Sequence, residues 1–285
     1  DVKRSIGPFR RVGATYAGYR ALASAEFLEL HATADTNATV PSPPEPPGLA
    51  RAAARLHAAL YGVGRLVLRV LARWLGVPGL ALGAALDADG TEGPSRPSSS
   101  VLRCCYYRAE GRAVGDVLFE RHTDSSLLTL SPLCTSAPGL QVADPSLGGE
   151  WVSVEGRTGV TDADVGVHVG DLLAFLTRER FSACIHRVVR GSVSRLSMPL
   201  LLRANPESKL DTRAYLSDAV VHVEGIRCSD LCRLLDIHGK RALERSDGRA
   251  LERRAVEEAR KARARAYRDS VRAGTRPLSD SESED

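Results

Sequence analysis

His122-Thr123-Asp124 sets an imidazole and a carboxylate two residues apart, and His186 follows 64 residues after the first. Side chains of a strand alternate between its faces, so His122 and Asp124 share a face wherever this stretch is extended. Leu118 and Phe119 before the pair, and Leu127, Leu128 and Leu130 after it, suit a strand ending near it. His186 lies in Phe181-Ser182-Ala183-Cys184-Ile185-His186-Arg187-Val188-Val189, a short β-branched run that reads as a second strand. Two imidazoles and one carboxylate can hold a ferrous ion on one face and leave positions open for a cosubstrate and O2. Arg195 and Ser197 again share a face, and a guanidinium fork beside a hydroxyl suits a carboxylate. Alone, H-x-D is weak, because a turn at a strand end carries the same residues. A distant third ligand adds little in a chain with seven His. The R-x-S pattern nine residues after His186 is what sharpens it.

Three regions must position these residues. Residues 1–100 read as a mainly helical support region. A helix is expected over residues 14–34, and the Pro-rich stretch 41–47 then forces an extended loop. Over residues 49–76, Leu56, Leu60, Val63, Val67, Leu71 and Trp74 recur at helical spacing, with Arg51, Arg55, Arg65, Arg69 and Arg73 largely off that stripe. The arginines are too frequent for a membrane span, so this reads as an amphipathic helix packed on a barrel. Residues 87–100 read as a loop. From residue 101 to about 238, short strands alternate with Gly, Pro, Asp and Ser turns, as in an all-β barrel or sandwich. Residues 239–285 read as a charged helix and an acidic tail; 239–276 hold 13 Lys/Arg against 6 Asp/Glu.

The blocks around these residues resemble the isopenicillin N synthase-like Fe(II)/2-oxoglutarate dioxygenases. The resemblance runs from about Val101 to Leu202 and includes Cys105-Tyr106-Tyr107, HTDSSLLTL at 122–130, PGLQV at 138–142 and GEWVSV at 149–154. It continues through VHVGDLLAFLT at 167–177, RFSACIHRVV at 180–189 and RLSMPLLL at 195–202. It implies an α+β chain: a double-stranded β-helix (jelly-roll) core with N-terminal supporting helices and a charged helical C-terminal tail. It implies that His122, Asp124 and His186 bind Fe(II), that Arg195 and Ser197 bind the distal carboxylate of 2-oxoglutarate, and that Tyr107 is a further contact. O2 is the implied co-reactant and ascorbate an accessory reductant. The implied reaction is oxidation, by default hydroxylation, of a small organic substrate with conversion of 2-oxoglutarate to succinate. Many members carry Asn-x-Tyr ahead of H-x-D; Cys105 stands at the Asn position here, a departure that bears on Tyr107 and leaves the metal set untouched.

Other readings stay open. Some relatives use no 2-oxoglutarate and turn the Arg and Ser toward the substrate's own carboxylate. A barrel retained as a non-catalytic binding module is a different class. The basic stretch 239–276 could meet nucleic acid or an acidic partner, which makes a nucleic acid a second substrate class. A net charge of +4 is too small for the whole chain to funnel a polyanion. Six Cys, with Cys104 and Cys105 adjacent, read as unpaired thiols in a reducing compartment, so a cytoplasmic or nuclear monomer is expected. Cys228, Cys232 and His238 read as thiols of a short helix rather than half of a zinc site. Asp171 is expected to shape a turn before a strand, and Gln141 and Trp151 to serve packing and strand pairing. Arg103 and Arg121 read as strand-edge surface charges. The chain starts without Met and without the first strands relatives carry, and reads as a fragment, a processed form or a divergent gene model.

Overall fold

The computed structural model describes residues 10–12, 15–22, 24–33, 39–41, 48–78, 82–86, 97–177, 179–211 and 224–234. In chain order they form β1 (Arg10–Val12), β2 (Thr15–Ala21), β3 (Ala25–Ala32), β4 (Thr39–Val40), α1 (Leu49–Trp74), β5 (Val101–Tyr107), β6 (Val117–His122), β7 (Leu128–Pro132) and β8 (Leu140–Asp144). A single 3-10 turn, Pro145–Leu147, precedes β9 (Glu150–Ser153), β10 (Val165–Val169), α2 (Asp171–Leu176), β11 (His186–Val189), β12 (Arg195–Ser197) and β13 (Leu200–Leu202). A hairpin of β14 (Lys209–Asp211) and β15 (Glu224–Arg227) leads into α3 (Cys228–Leu234).

Two antiparallel sheets make the jelly roll. The larger runs β1-β2-β3-β5-β13-β7-β10, with β12 also on β5 and β4 on β3; the smaller runs β6-β11-β8-β9. The strands of the large sheet alternate between two apolar clusters. Leu28, Leu30, Leu102, Cys104, Leu128, Leu130, Leu200 and Leu202 turn toward α1. Ala25, Phe27, Cys105 and Tyr107 turn the other way and meet Leu118 and Val188 of the small sheet. That second cluster is the barrel interior, the face on which the site lies.

The helix α1 braces the outer face. Its buried side passes through Ala53, His57, Leu60, Tyr61, Gly64, Leu68 and Ala72, and Arg51, Arg55, Arg65, Arg69 and Arg73 are exposed. The helical period is as expected, and Leu56, Leu60, Val67 and Leu71 of the expected stripe pack against the core, while Val63 is 43% and Trp74 69% exposed. Small residues share the buried side with Leu60, Tyr61 and Leu68, which lets the helix lie close to the sheet. A Cβ on Gly64 would come within 2.8 Å of Leu202 Cδ2. Gly76, at φ +73, ends the helix; its N–H reaches Arg73 O and that of Val77 reaches Ala72 O, a Schellman closure.

Residues 14–34 are not a helix. Their described part forms β2 and β3, and β3 pairs with β5 over six residue pairs from Ala25–Tyr107 to Leu30–Leu102. That ladder, with Glu29–Arg103 and Glu26–Arg108 ion pairs across it, overrides a local preference worth only tenths of a kcal/mol per residue. The support region therefore contributes strands to the main sheet and one long helix. Of the expected loop 87–100 only 97–100 is described, and the charged segment 239–285 lies outside the described residues. Among those described, no helix is long and apolar enough to cross a membrane.

Candidate metal and cosubstrate site

His122 ends β6 and His186 begins β11, and the two residues are partners in the same ladder. Their ring centroids lie 4.2 Å apart. Asp124 follows just past the end of β6, with Oδ1 3.7 Å from His122 Nε2 and Oδ2 3.7 Å from His186 Nε2. The ligand atoms of the three residues all lie within 4.8 Å of one another, so one ion could reach them all.

The backbone prepares both imidazoles. His122 Nδ1 is 2.8 Å from Glu120 O and His186 Nδ1 is 3.1 Å from Cys184 O. A carbonyl can only accept, so each Nδ1 carries a proton, and Nε2 is the atom that each ring turns toward Asp124. Burial, aided by His186, lowers the His122 pKa to about 4, which leaves it neutral near pH 7. Burial pushes the Asp124 carboxyl up, but His186, His122, the Thr129 hydroxyl and Arg103 outweigh it and hold the pKa at about 2. The Thr129 hydroxyl donates to Asp124 Oδ2 at 2.6 Å. A neutral His122 imidazole and an anionic Asp124 carboxylate are protonation states that binding a divalent ion requires.

The turn carrying Asp124 is fixed from behind. Asp171 N–H donates to Asp124 O and Leu172 N–H to Ser126 O. Asp171 thus shapes a turn as expected, but the turn opens helix α2 rather than a strand. Gly170 packs so close that a Cβ there would sit 2.1 Å from Ser126 O. The strand expected over 181–189 is shortened to β11. Upstream of it Cys184 N–H bonds to Val169 O of β10, while Ile185 O accepts from Ala143 N–H of β8. This stretch bridges the two sheets and belongs to neither ladder.

Arg195 and Ser197 lie on β12, with exposed Leu196 pointing outward between them. Their partners on β5 are Tyr107 and Cys105. The Tyr107 phenol is buried and shares a hydrogen bond with the Cys105 side chain; burial raises its pKa well above the usual range. Glu155, in the turn after β9, gave no local signal: it stands among Gly, Thr and Arg and reads as a solvated loop acid. It is buried instead, and its carboxylate meets Arg195 end-on, with Nη1–Oε2 at 2.8 Å and Nη2–Oε1 at 2.7 Å. Arg195 Nη1 also donates to Ala137 O at 2.8 Å, while the buried Nε has no partner.

Arg103 is no surface charge. It stands on the interior face of β5 with its side chain 18% exposed and salt-bridged to Glu29, and its charge helps hold Asp124 ionised. Arg121 is exposed as expected. Gln141 accepts from Arg187 Nε, and the Arg187 guanidinium lies over the Trp151 ring, so both serve strand pairing. Cys228 is buried in α3, Cys232 belongs to the same helix, and His238 lies outside the described residues. Cys104, Cys105, Cys134 and Cys184 are free thiols. His168, Cys184 and His186 form a second set of clustered donors that shares His186 with the first. Its thiolate would favour a softer ion than the carboxylate set.

Residues 98–204 match the family model of the 2OG-Fe(II) oxygenase superfamily. The barrel strands within that span are thus similar to that superfamily. Leucoanthocyanidin dioxygenase 1 of Oryza sativa subsp. indica is 33% identical over 145 residues, which are 50% of this chain and 36% of that protein. The chain thus spans about a third of the length of the curated relatives it matches. Among solved structures, the rice dioxygenase for auxin oxidation superposes with a TM-score of 0.52 at 27% identity, over 71% of this chain and 62% of that one. A full-length Neurospora crassa protein solved in complex with α-ketoglutarate and 5-formyluracil gives 0.57 at 21% identity, over 75% and 71%. The 2-oxoglutarate complex of the Arabidopsis thaliana dioxygenase for auxin oxidation 1 gives 0.55 at 20%, over 73% and 74%. These superpositions support the jelly-roll fold of the 2OG-Fe(II) oxygenases.

The residues present fit the groups that give this superfamily its name. Two lone pairs on fixed Nε2 atoms and one carboxylate suit Fe(II). The unpartnered, buried Nε of Arg195 is a donor awaiting an acceptor, and it suits a carboxylate.

Proposed function

We propose that this chain is an Fe(II)- and 2-oxoglutarate-dependent dioxygenase that oxidises a small organic molecule, by default by hydroxylation. The observation that carries this reading is the convergence of His122, Asp124 and His186 on one point of the barrel, with both Nδ1 atoms tied to carbonyls. When bound, the iron with 2-oxoglutarate and O2 supplies the oxidising chemistry, yielding succinate, CO2 and a substrate that has gained one oxygen atom. The protein contributes position and shelter. His122, Asp124 and His186 hold the ion, Thr129 orients the carboxylate, and Arg195 with Ser197 receives the distal carboxylate of the cosubstrate. Tyr107 is the ladder partner of Arg195 on β5, which sets it beside that anchor. Phe27 and Phe119, packed edge-to-face at 5.5 Å, give the interior an apolar wall that keeps water from the reacting atoms. Arg103 and Glu29 add one polar patch on the same face.

Anaerobic Fe(II) titration with and without 2-oxoglutarate tests this. A weak visible charge-transfer band is expected only with both, together with 2-oxoglutarate-dependent succinate release against a metabolite panel. His122→Ala should abolish both by losing iron. A band or turnover independent of 2-oxoglutarate would favour an oxidase that turns Arg195 toward its substrate. Bound iron with neither would leave a non-catalytic barrel.

A further inference from the structure

Glu155 is the most heavily engaged carboxylate among the described residues. Its Oε1 accepts from Cys134 N–H at 3.0 Å and from Arg195 Nη2; its Oε2 accepts from Gly139 N–H at 3.0 Å, Leu140 N–H at 3.2 Å and Arg195 Nη1. Five donors on one buried carboxylate fix its orientation. An arginine has two edges that can take a carboxylate in bidentate fashion, Nη1–Nη2 at its end and Nε–Nη2 at its side. Glu155 fills the end, and Ala137 O takes the remaining Nη1 hydrogen. What is left is the side edge, whose Nε is buried without a partner. The close packing admits little alternative: a Cβ on Gly139 would lie 2.7 Å from Val189 O and 3.3 Å from Arg195 Cδ.

We propose that Glu155 is a positioning residue for the cosubstrate: by occupying the end of the Arg195 guanidinium it leaves only the Nε–Nη2 edge, beside Ser197, to receive the distal carboxylate of 2-oxoglutarate. This rests on the reading of Arg195 as the cosubstrate's anchor. Two effects of removing Glu155 oppose each other. An arginine freed of its acid attracts an anion more strongly, but it also loses the contacts that aim it. Because the Arg195–Glu155 contact is charge-assisted and dry, aim outweighs attraction.

The test is direct binding to the Fe(II)-loaded full chain without O2, read as the charge-transfer band and by calorimetry. Two ligands are compared: 2-oxoglutarate, and 2-oxopentanoate, which carries a methyl in place of the distal carboxylate. Glu155→Gln should weaken 2-oxoglutarate roughly 10-fold or more while leaving 2-oxopentanoate unchanged. Glu155→Asp, which keeps the charge on a shorter stem, should fall between Glu155→Gln and wild type. Equal losses for both ligands would mark a general disruption and overturn the proposal. Tighter 2-oxoglutarate binding would overturn it too, by showing that Glu155 competes with the cosubstrate. Failure of both variants to bind Fe(II) would make Glu155 a folding residue only. Arg195→Gln separates the layers: if it leaves 2-oxoglutarate affinity intact, the anchor reading itself fails, whatever Glu155 does.

Discussion

Thr129→Val removes one hydroxyl from behind the metal set and keeps the β-branched shape on β7. Thr129 is 2% exposed, and its hydroxyl donates to Asp124 Oδ2 at 2.6 Å while lying 3.0 Å from Ser126 Oγ. A hydrogen bond to a buried charged group is worth ~1.5–3 kcal/mol. Most of that is present with or without the ion, so only part of it appears in metal affinity. What survives is the loss of orientation and of one force holding the carboxyl pKa low, since the Thr129 hydroxyl is among the groups that depress it. The expected loss is therefore at the lower end of the range for an outer partner of a metal ligand, about 10-fold in Fe(II) affinity. Competition titration with a chromophoric chelator under argon reads it directly. The pH at which metal affinity falls away should also move up, because protonation of Asp124 comes sooner. Unchanged affinity and an unchanged pH profile, in a variant with wild-type thermal stability, would refute the role given to this hydroxyl.

Metal removal gives a second measurement. Saturating Fe(II) at 100 times its dissociation constant should stabilise the chain by about 2.7 kcal/mol, an increment that a chelator erases and that Asp124→Ala never shows in a thermal melt. Gly170→Ala should destabilise by about 3 kcal/mol or more in urea, since its Cβ would lie 2.1 Å from backbone at Ser126 and the turn carrying Asp124 would have to shift. His57, 3% exposed on the buried side of α1, has its pKa lowered to about 4 by burial, from 6.5 in the unfolded chain. On acidification the unfolded state takes the proton first, so this contribution is complete above pH 6.5 and is lost between 6.5 and 4. The loss is about 3 kcal/mol, and His57→Gln, which can still reach Ser100 O, should flatten the stability slope over that window by a similar amount. An equal slope in variant and wild type, from urea unfolding across the window, would contradict it.

The parts legible in the sequence are those where local pattern and chemistry coincide. Arg195 and Ser197 share a face because strand alternation sets them on β12, whereas His122 ends β6 and Asp124 lies just past it, in a turn that Asp171 and Leu172 hold. The long helix declared itself by its period and by most of its apolar stripe, Leu56, Leu60, Val67 and Leu71, but not at Val63 and Trp74, which are exposed while Gly64 and Ala72 face the sheet at close range. The N-terminal strands were illegible for a different reason. Residues 25–32 contain Ala, Glu and Leu, which favour a helix, and only the distant partner β5 makes them a strand. Glu155 was hidden for the same cause: its five donors come from Cys134, Gly139, Leu140 and Arg195, none of them near it in sequence.

Asp124 and Glu155 are two of the buried acids among the described residues, and their surroundings assign them opposite tasks. Among the contacts to its oxygens, Asp124 accepts one hydrogen bond, from Thr129, and faces two imidazoles whose protons are already committed to carbonyls. Its remaining lone pairs have no donor to satisfy them, and a cation is the partner that would. Glu155 is the reverse: two oxygens, five donors, one of the partners a guanidinium. A metal approaching Glu155 would have to displace hydrogen bonds from three backbone amides and strand a buried arginine, at a cost of several kcal/mol. Residue type alone cannot separate a ligand carboxylate from a scaffold carboxylate, but the count of donors already spent on each does. By that count Asp124 is the acid left open to a cation, and Glu155 is spent on the arginine.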